Sequence, residues 1–130
     1  MANKFLSIGE LSRQSGLSAY TLRYYESAGI LKPVGRTPSG HRRYHREDVI
    51  WLDFVLRLKR TGMPLAEIKR YARLRAQGEE TTRERFALLE LHRERLAAQI
   101  AELQESADAL DEKLQTYRDM LAAATVPEDR

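Results

Sequence analysis

The stretch Ser7-Ile8-Gly9-Glu10-Leu11-Ser12-Arg13-Gln14-Ser15-Gly16-Leu17-Ser18-Ala19-Tyr20-Thr21-Leu22-Arg23-Tyr24-Tyr25-Glu26-Ser27-Ala28-Gly29 decides how the chain is read. Ser7 and Glu10 have the Ser-x-x-Glu spacing of a capping box, in which each side chain satisfies the other's exposed backbone donor at a helix start. This predicts a short helix with Ile8 and Leu11 turned inward, ending near Gly16. Leu17 fills the turn, Ser18 caps a second helix from Ala19 to about Ala28, and Gly29 stands where a left-handed residue closes a helix. Two short capped helices joined by a glycine-containing turn of about four residues describe a helix-turn-helix.

Working outward, Ile30-Leu31-Lys32-Pro33 and His41-Arg42-Arg43-Tyr44 read as two short strands. They flank the turn Val34-Gly35-Arg36-Thr37-Pro38-Ser39-Gly40, which makes a small β-hairpin, or wing. Glu47 and Asp48 suit the positive start of a third helix, whose Val49, Leu52, Val55, Leu56 and Leu58 keep helical spacing up to Gly62. Pro64 is acceptable at a helix entrance, and Leu65, Ile68, Tyr71, Ala72 and Arg75 carry a fourth helix to Gly78. Trp51, Phe54 and Tyr71 read first as core, with a small-molecule pocket beside them as the alternative.

After Gly78-Glu79-Glu80-Thr81, neither Gly nor Pro occurs until Pro127. Leu89, Leu96, Leu103, Leu110 and Tyr117 recur every seven residues, and Phe86, Ile100, Ala107, Leu114 and Leu121 interleave with them. This is the seam of a coiled coil, broken once at Arg93. At a rise of 1.5 Å per residue, positions 82–122 predict a rod of roughly 60 Å. A domain of about 80 residues cannot cover such a rod, so it needs a partner helix, most simply a second copy of the chain. Heptad spacing leaves parallel and antiparallel pairing open. The fold class expected is mainly α: a winged helix-turn-helix domain over 1–77, a long dimerising coiled-coil helix over 78–124 and a disordered tail over 125–130.

The charges divide in the same place. The 130 residues hold 22 Lys+Arg and 19 Asp+Glu, a net charge of +3. Residues 1–78 carry 15 of the former and 6 of the latter, a net +9, whereas residues 79–130 carry 7 and 13, a net −6. The basic part calls for a polyanion, most simply nucleic acid, which the acidic part would repel. No apolar run approaches the roughly 18 residues of a membrane span, and the N-terminus lacks the apolar region of a secretory signal, so a cytoplasmic protein is expected. The absence of cysteine excludes disulfides, thiolate metal sites and thiol redox switching. His41, His45 and His92 are scattered, without acidic partners at ligand spacing, and there is neither a glycine-rich phosphate loop nor a visible Ser/His/Asp arrangement. No enzymatic activity, metal or cofactor is expected.

Tyr20, Arg23, Tyr24 and Ser27 share one face of the second helix, and Leu22 and Tyr25 take the other. Arginine can bond guanine O6 and N7 together, and phenols can meet phosphates or thymine methyls, so this face suits a major groove. Ser18 and Thr21 can donate to phosphates at the positive helix start. An ordinary amphipathic helix with a solvated polar face has the same pattern. Arg36, His41, Arg42 and Arg43 cluster on a hairpin too small for a core of its own, where phosphate contact is their expected use. Tyr44 is expected to pack against the hairpin. Lys59 and Arg60 close the third helix, where basic residues also suit the helix dipole.

In these residues the chain resembles the MerR family of bacterial transcription regulators. The resemblance runs through Ile8-Gly9-Glu10-Leu11, Thr21-Leu22-Arg23-Tyr24-Tyr25-Glu26, Gly29-Ile30-Leu31-Lys32-Pro33 and Arg36. It continues through Gly40-His41-Arg42-Arg43-Tyr44, Asp48-Val49 and Gly62-Met63-Pro64-Leu65-Ala66-Glu67-Ile68, covering roughly residues 5–75. It implies a winged helix-turn-helix homodimer, held by an antiparallel coiled coil, on an inverted-repeat operator within an over-long promoter spacer. Such regulators bend and untwist that DNA on a signal so that RNA polymerase can align both promoter elements, which is indirect readout used as a switch. By position, Tyr20, Arg23 and Tyr24 would face the major groove and Tyr25 would do structural work. Arg36, His41, Arg42 and Arg43 would hold the backbone, and Lys59 a flanking phosphate.

The layout is nearest the aldehyde-responsive branch, whose sensing cysteine in the third helix is met here by Arg57. Without cysteines, the thiol and metal signals of the family have no ligand in this chain, and the sequence names no other effector. Two other readings of the same charges are an architectural or excisionase-like DNA-bending protein and a coiled-coil interaction adaptor.

Overall fold

In the computed structural model, which describes residues 5–125, the capping box forms as its spacing requires. The Ser7 N–H donates to Glu10 Oε1 at 3.0 Å and the Glu10 N–H to Ser7 Oγ at 3.1 Å, starting helix α1 (Ile8–Ser15). The N–H and hydroxyl of Ser7 hold the Glu10 carboxyl below the usual carboxylate range. Gly16, at φ 77°, closes α1 in the left-handed region that a Cβ disfavours. Ser18 Oγ accepts the Thr21 N–H at 3.1 Å, and helix α2 (Ala19–Ser27) follows. Beyond α2, left-handed Gly29 lets the Ile30 N–H reach Tyr25 O at 2.8 Å, and both of these side chains are buried against the core.

Three short antiparallel strands, β1 (Phe5–Leu6), β2 (Gly35–Arg36) and β3 (Arg42–His45), form a sheet in the order β1-β3-β2. Leu6 stands opposite Tyr44, and Arg36 opposite Arg42. The hairpin exists, but its first strand is not the expected one. Ile30 and Leu31 are buried with their amides on Tyr25 O, and Pro33 has no N–H to give a ladder, so Ile30–Pro33 is not a strand. Pairing begins instead inside the expected turn, at Gly35 and Arg36. Strand β1 was not expected at all, because two residues carry no readable alternation.

Helices α3 (Asp48–Arg60) and α4 (Leu65–Gln77) precede a 3-10 turn over Glu79–Thr81 and helix α5 (Thr82–Thr125). Two compact units divide the chain between His92 and Arg93, whereas the change of charge falls at 78/79. In the first unit, Leu11, Leu22 and Leu52 are wholly buried, each burial contributing about 1.5–3 kcal/mol. Trp51 stacks on Tyr71 with ring centroids 5.9 Å apart, Phe54 tilts against Tyr71, and the Arg75 guanidinium lies 4.1 Å from the Trp51 ring centre. The indole N–H donates to Ile30 O at 2.8 Å, and Trp51 and Tyr71 are core as expected, with Phe54 partly buried against it. Trp51 also edges an open concavity of about 470 Å³ with His45, Glu47, Asp48 and Arg75. The first turns of α5 join this core through Leu88 and His92, with His92 Nε2 lying 2.7 Å from Thr61 Oγ1.

Of the expected seam residues, Phe86 is 63% exposed, whereas Leu89 is partly buried against the core and so also serves the first unit. In the second unit, Leu96 is half-buried and Ile100, Leu103, Leu110, Leu114, Tyr117 and Leu121 are exposed, Leu103 by 70%. Thr125 still belongs to α5. The rest of the expected tail, residues 126–130, lies outside the described residues.

Candidate nucleic-acid interface

Helix α2 presents the face that its periodicity requires. Tyr20 is 81% and Tyr24 44% exposed, Arg23 and Ser27 are exposed beside them, and Leu22 and Tyr25 are buried on the opposite side. Ser18 donates its hydroxyl to Thr21 Oγ1 at 3.0 Å, and Ser27 donates its own to Tyr24 O at 2.8 Å. The Ser18 and Thr21 hydroxyls are therefore engaged in the cap at the positive end of the helix.

Alternation along β3 sorts the hairpin's side chains. Arg42 and Tyr44, two residues apart, share the face turned to α2. There Arg42 Nε lies 2.8 Å from Glu26 Oε1, and the Tyr44 hydroxyl donates to Glu26 Oε2 at 3.1 Å. Burial, and then the neighbouring Glu26 charge, push the Tyr44 phenol up to about 12, so it keeps its proton at neutral pH. Tyr44 thus packs against the hairpin as expected and also bonds to α2. Arg43 takes the other face and is half-buried, its guanidinium 4.6 Å from the Phe5 ring centre. Its Nε is buried without a hydrogen-bond partner among the described residues. Arg36 is exposed and donates to Gly40 O at 2.8 Å, tightening the turn, and His41 is exposed at its end.

Arg23, Arg36, His41 and Arg42 line one concavity of about 210 Å³ between α2 and the hairpin, together with Ser7, Ile8 and Gly40. Tyr24 and Lys59 line a second, of about 270 Å³, over Val55, Met63 and Ile68. Ser18, Tyr20, Thr21 and Arg43 line neither of these. Chemically, the first hollow is a set of guanidinium and imidazole donors beside an exposed Arg/Tyr helix face, suited to an acceptor-rich, anionic surface. Sequence reasoning missed Glu26. Its partner Tyr44 is 18 positions away, and no local spacing signals a helix-to-strand pair.

Residues 6–74 match the family of MerR HTH family regulatory proteins, and residues 49–123 match the family described as MerR, DNA binding. The chain belongs to the MerR family. An uncharacterized HTH-type transcriptional regulator of Haemophilus influenzae is 42% identical over 111 residues, covering 85% of this chain and 82% of the relative. HiNmlR, described as a MerR family regulator lacking the sensor domain and solved bound to promoter DNA, superposes with a TM-score of 0.76 at 39% identity. That match covers 91% of this chain and 94% of HiNmlR. A putative MerR family regulator of Listeria monocytogenes reaches a TM-score of 0.83 at 38% identity, covering 92% of this chain and 90% of its own. This MerR-family protein is a mainly helical HTH transcription regulator that binds DNA. Arg57 of this regulator pairs with Asp53 at 3.9 Å on the exposed side of α3. Among the described residues, no group of three or more His, Asp and Glu side chains is placed to hold a metal ion, and no helix is long and apolar enough to cross a membrane.

Proposed function

We propose that this regulator acts as a homodimer on promoter DNA in the cytoplasm. It binds an inverted-repeat operator in the promoter spacer and distorts it to control the access of RNA polymerase. The observation that carries this reading is the concavity where Arg23, Arg36, His41 and Arg42 converge beside the exposed Tyr20 and Tyr24. Arg23 and the tyrosines read base edges in the major groove, and the hairpin cations and Lys59 hold the phosphates that fix the register. Residues 1–77 are the reading domain and 78–124 the dimerisation helix. The solved complex of HiNmlR with promoter DNA supports the choice of partner. Two reading heads require a pairing surface, and exposed Ile100, Leu103, Leu110, Leu114, Tyr117 and Leu121 supply one that would otherwise cost apolar hydration.

Footprinting of an operator selected from random duplexes, with light scattering of the free protein, tests the reading. A dimer mass is expected, with two protected half-sites about one DNA turn apart and enhanced cleavage at the dyad. A monomer protecting one unsplit, undistorted site would sink it.

A further inference from the structure

We propose that Glu26 is the positioning residue that sets the wing against helix α2, fixing where Arg42 meets the DNA relative to Arg23. The inference rests on the placement of both arginines at the DNA given above, and it concerns an acidic residue where acid is unfavourable. A carboxylate beside a polyanion costs binding through like-charge repulsion. Glu26 nevertheless sits with Arg23, Ser27 and Arg42 around a single hollow.

The geometry gives that carboxylate a task. Each of its oxygens serves a different hairpin residue, Oε1 the Arg42 Nε at 2.8 Å and Oε2 the Tyr44 hydroxyl at 3.1 Å. Both partners stand on one face of β3, so a single α2 side chain grips the strand at two points. Two bonds from one carboxylate restrain rotation as well as distance. One anchor is firm: Tyr44 is fully buried, while the Glu26 side chain is only 17% exposed. The other anchor uses only Nε of a guanidinium with five N–H donors. The terminal NH2 groups of Arg42 remain for a phosphate, with the side chain already ordered before DNA arrives. Ordering a long, rotamer-rich side chain in advance removes a cost that binding would otherwise carry. Since Arg42 then meets its phosphate only where the backbone lies at one offset from the bases that Arg23 reads, the effect falls on discrimination between DNA sequences rather than on affinity for DNA as such.

The test compares binding to the selected operator and to a random duplex at one salt concentration, for the full-length protein. Glu26→Gln keeps an acceptor for Tyr44 and removes the negative charge. Electrostatics alone predicts tighter binding to both duplexes by the same factor. Positioning predicts that the random duplex binds tighter while the operator-to-random preference falls about tenfold. In an Arg42→Ala background, Glu26→Gln should leave that preference unmoved, because nothing remains to be positioned. Tyr44→Phe, which leaves every charge in place, should lower the preference by less than Glu26→Gln. Parallel tightening on both duplexes, or an undiminished Glu26→Gln effect without Arg42, overturns the inference while leaving the regulator reading intact. A wild-type protein with no preference between the duplexes overturns both. Thermal unfolding of each variant separates a fold defect, which weakens both duplexes together, from the divergence expected here.

Discussion

Helices α2 and α5 both leave large apolar side chains in water, framed by opposite charges. On α2, exposed Tyr20 and Tyr24 stand among Arg23 and the hairpin cations, so the apolar surface is framed by positive charge. On α5, exposed Leu103, Leu110 and Leu114 stand among Glu102, Glu105, Asp108, Asp111 and Glu112. Exposure says only that something is to be covered. The neighbouring charge says what suits each: an anionic surface at α2, and at α5 the apolar seam of the second copy proposed above. The two helices also differ in how they are held. Caps, the buried Leu22 and Tyr25 and the Glu26 pair pin α2 in place, as the base reading proposed for it requires.

The severest way to break this comparison is Leu103→Glu. It places a like charge from each copy in the seam, so light scattering should report a monomer. Operator affinity should fall by about 10²–10⁴, since the two half-sites would no longer be held at a high effective concentration. A variant that stays dimeric with full affinity would remove α5 as the pairing surface. Arg23→Ala is next: operator binding should weaken by about 1–3 kcal/mol with relaxed base preference in a binding selection, and random-duplex affinity should move far less. Lys59→Ala should weaken all duplexes evenly and reduce the slope of log affinity against log salt by about one. An effect of Lys59→Ala confined to the operator would assign it to base reading.

The smallest effect lies inside the hairpin. The Tyr44 phenol is raised from 10.0 to about 12 in the fold, so its stabilisation is complete below pH 10 and is lost as pH rises through 12. Over that window wild type should therefore lose stability relative to Tyr44→Phe in alkaline unfolding curves. Parallel curves would mean that the phenol ionises alike in the folded and unfolded chain.

Legibility in the sequence followed the range of each interaction. Ser7, Glu10, Gly16, Ser18 and Gly29 act within a few residues of themselves, so the caps and turns of α1 and α2 were readable to within a residue or so. The periodicity of α3, α4 and α5 was readable because a helix repeats its burial every turn. Of the strands only β3 was, displaced by one residue from His41–Tyr44 to Arg42–His45. Leu6 pairs with Tyr44 and Gly35 with Arg43, and pieces of two to four residues leave no pattern long enough to set a register. Arg36, His41 and Arg42 were legible as a hairpin group by their charge and Arg23 by its helix face, whereas Arg43 of that group lies outside the hollow, and Glu26 was not legible, because its value is defined by a strand folded back onto the helix.

The stacking of Trp51 on Tyr71 beneath Arg75 also gives the protein a built-in optical probe. The chain contains one tryptophan, buried in the first unit, with a phenol stacked on it and a guanidinium over its face. Its emission therefore registers loosening of that unit. Far-ultraviolet circular dichroism has the opposite bias, since the 44 residues of α5 outnumber those of any other helix. Melting one sample with both signals distinguishes a first unit and helix that unfold together from a pair that come apart in sequence.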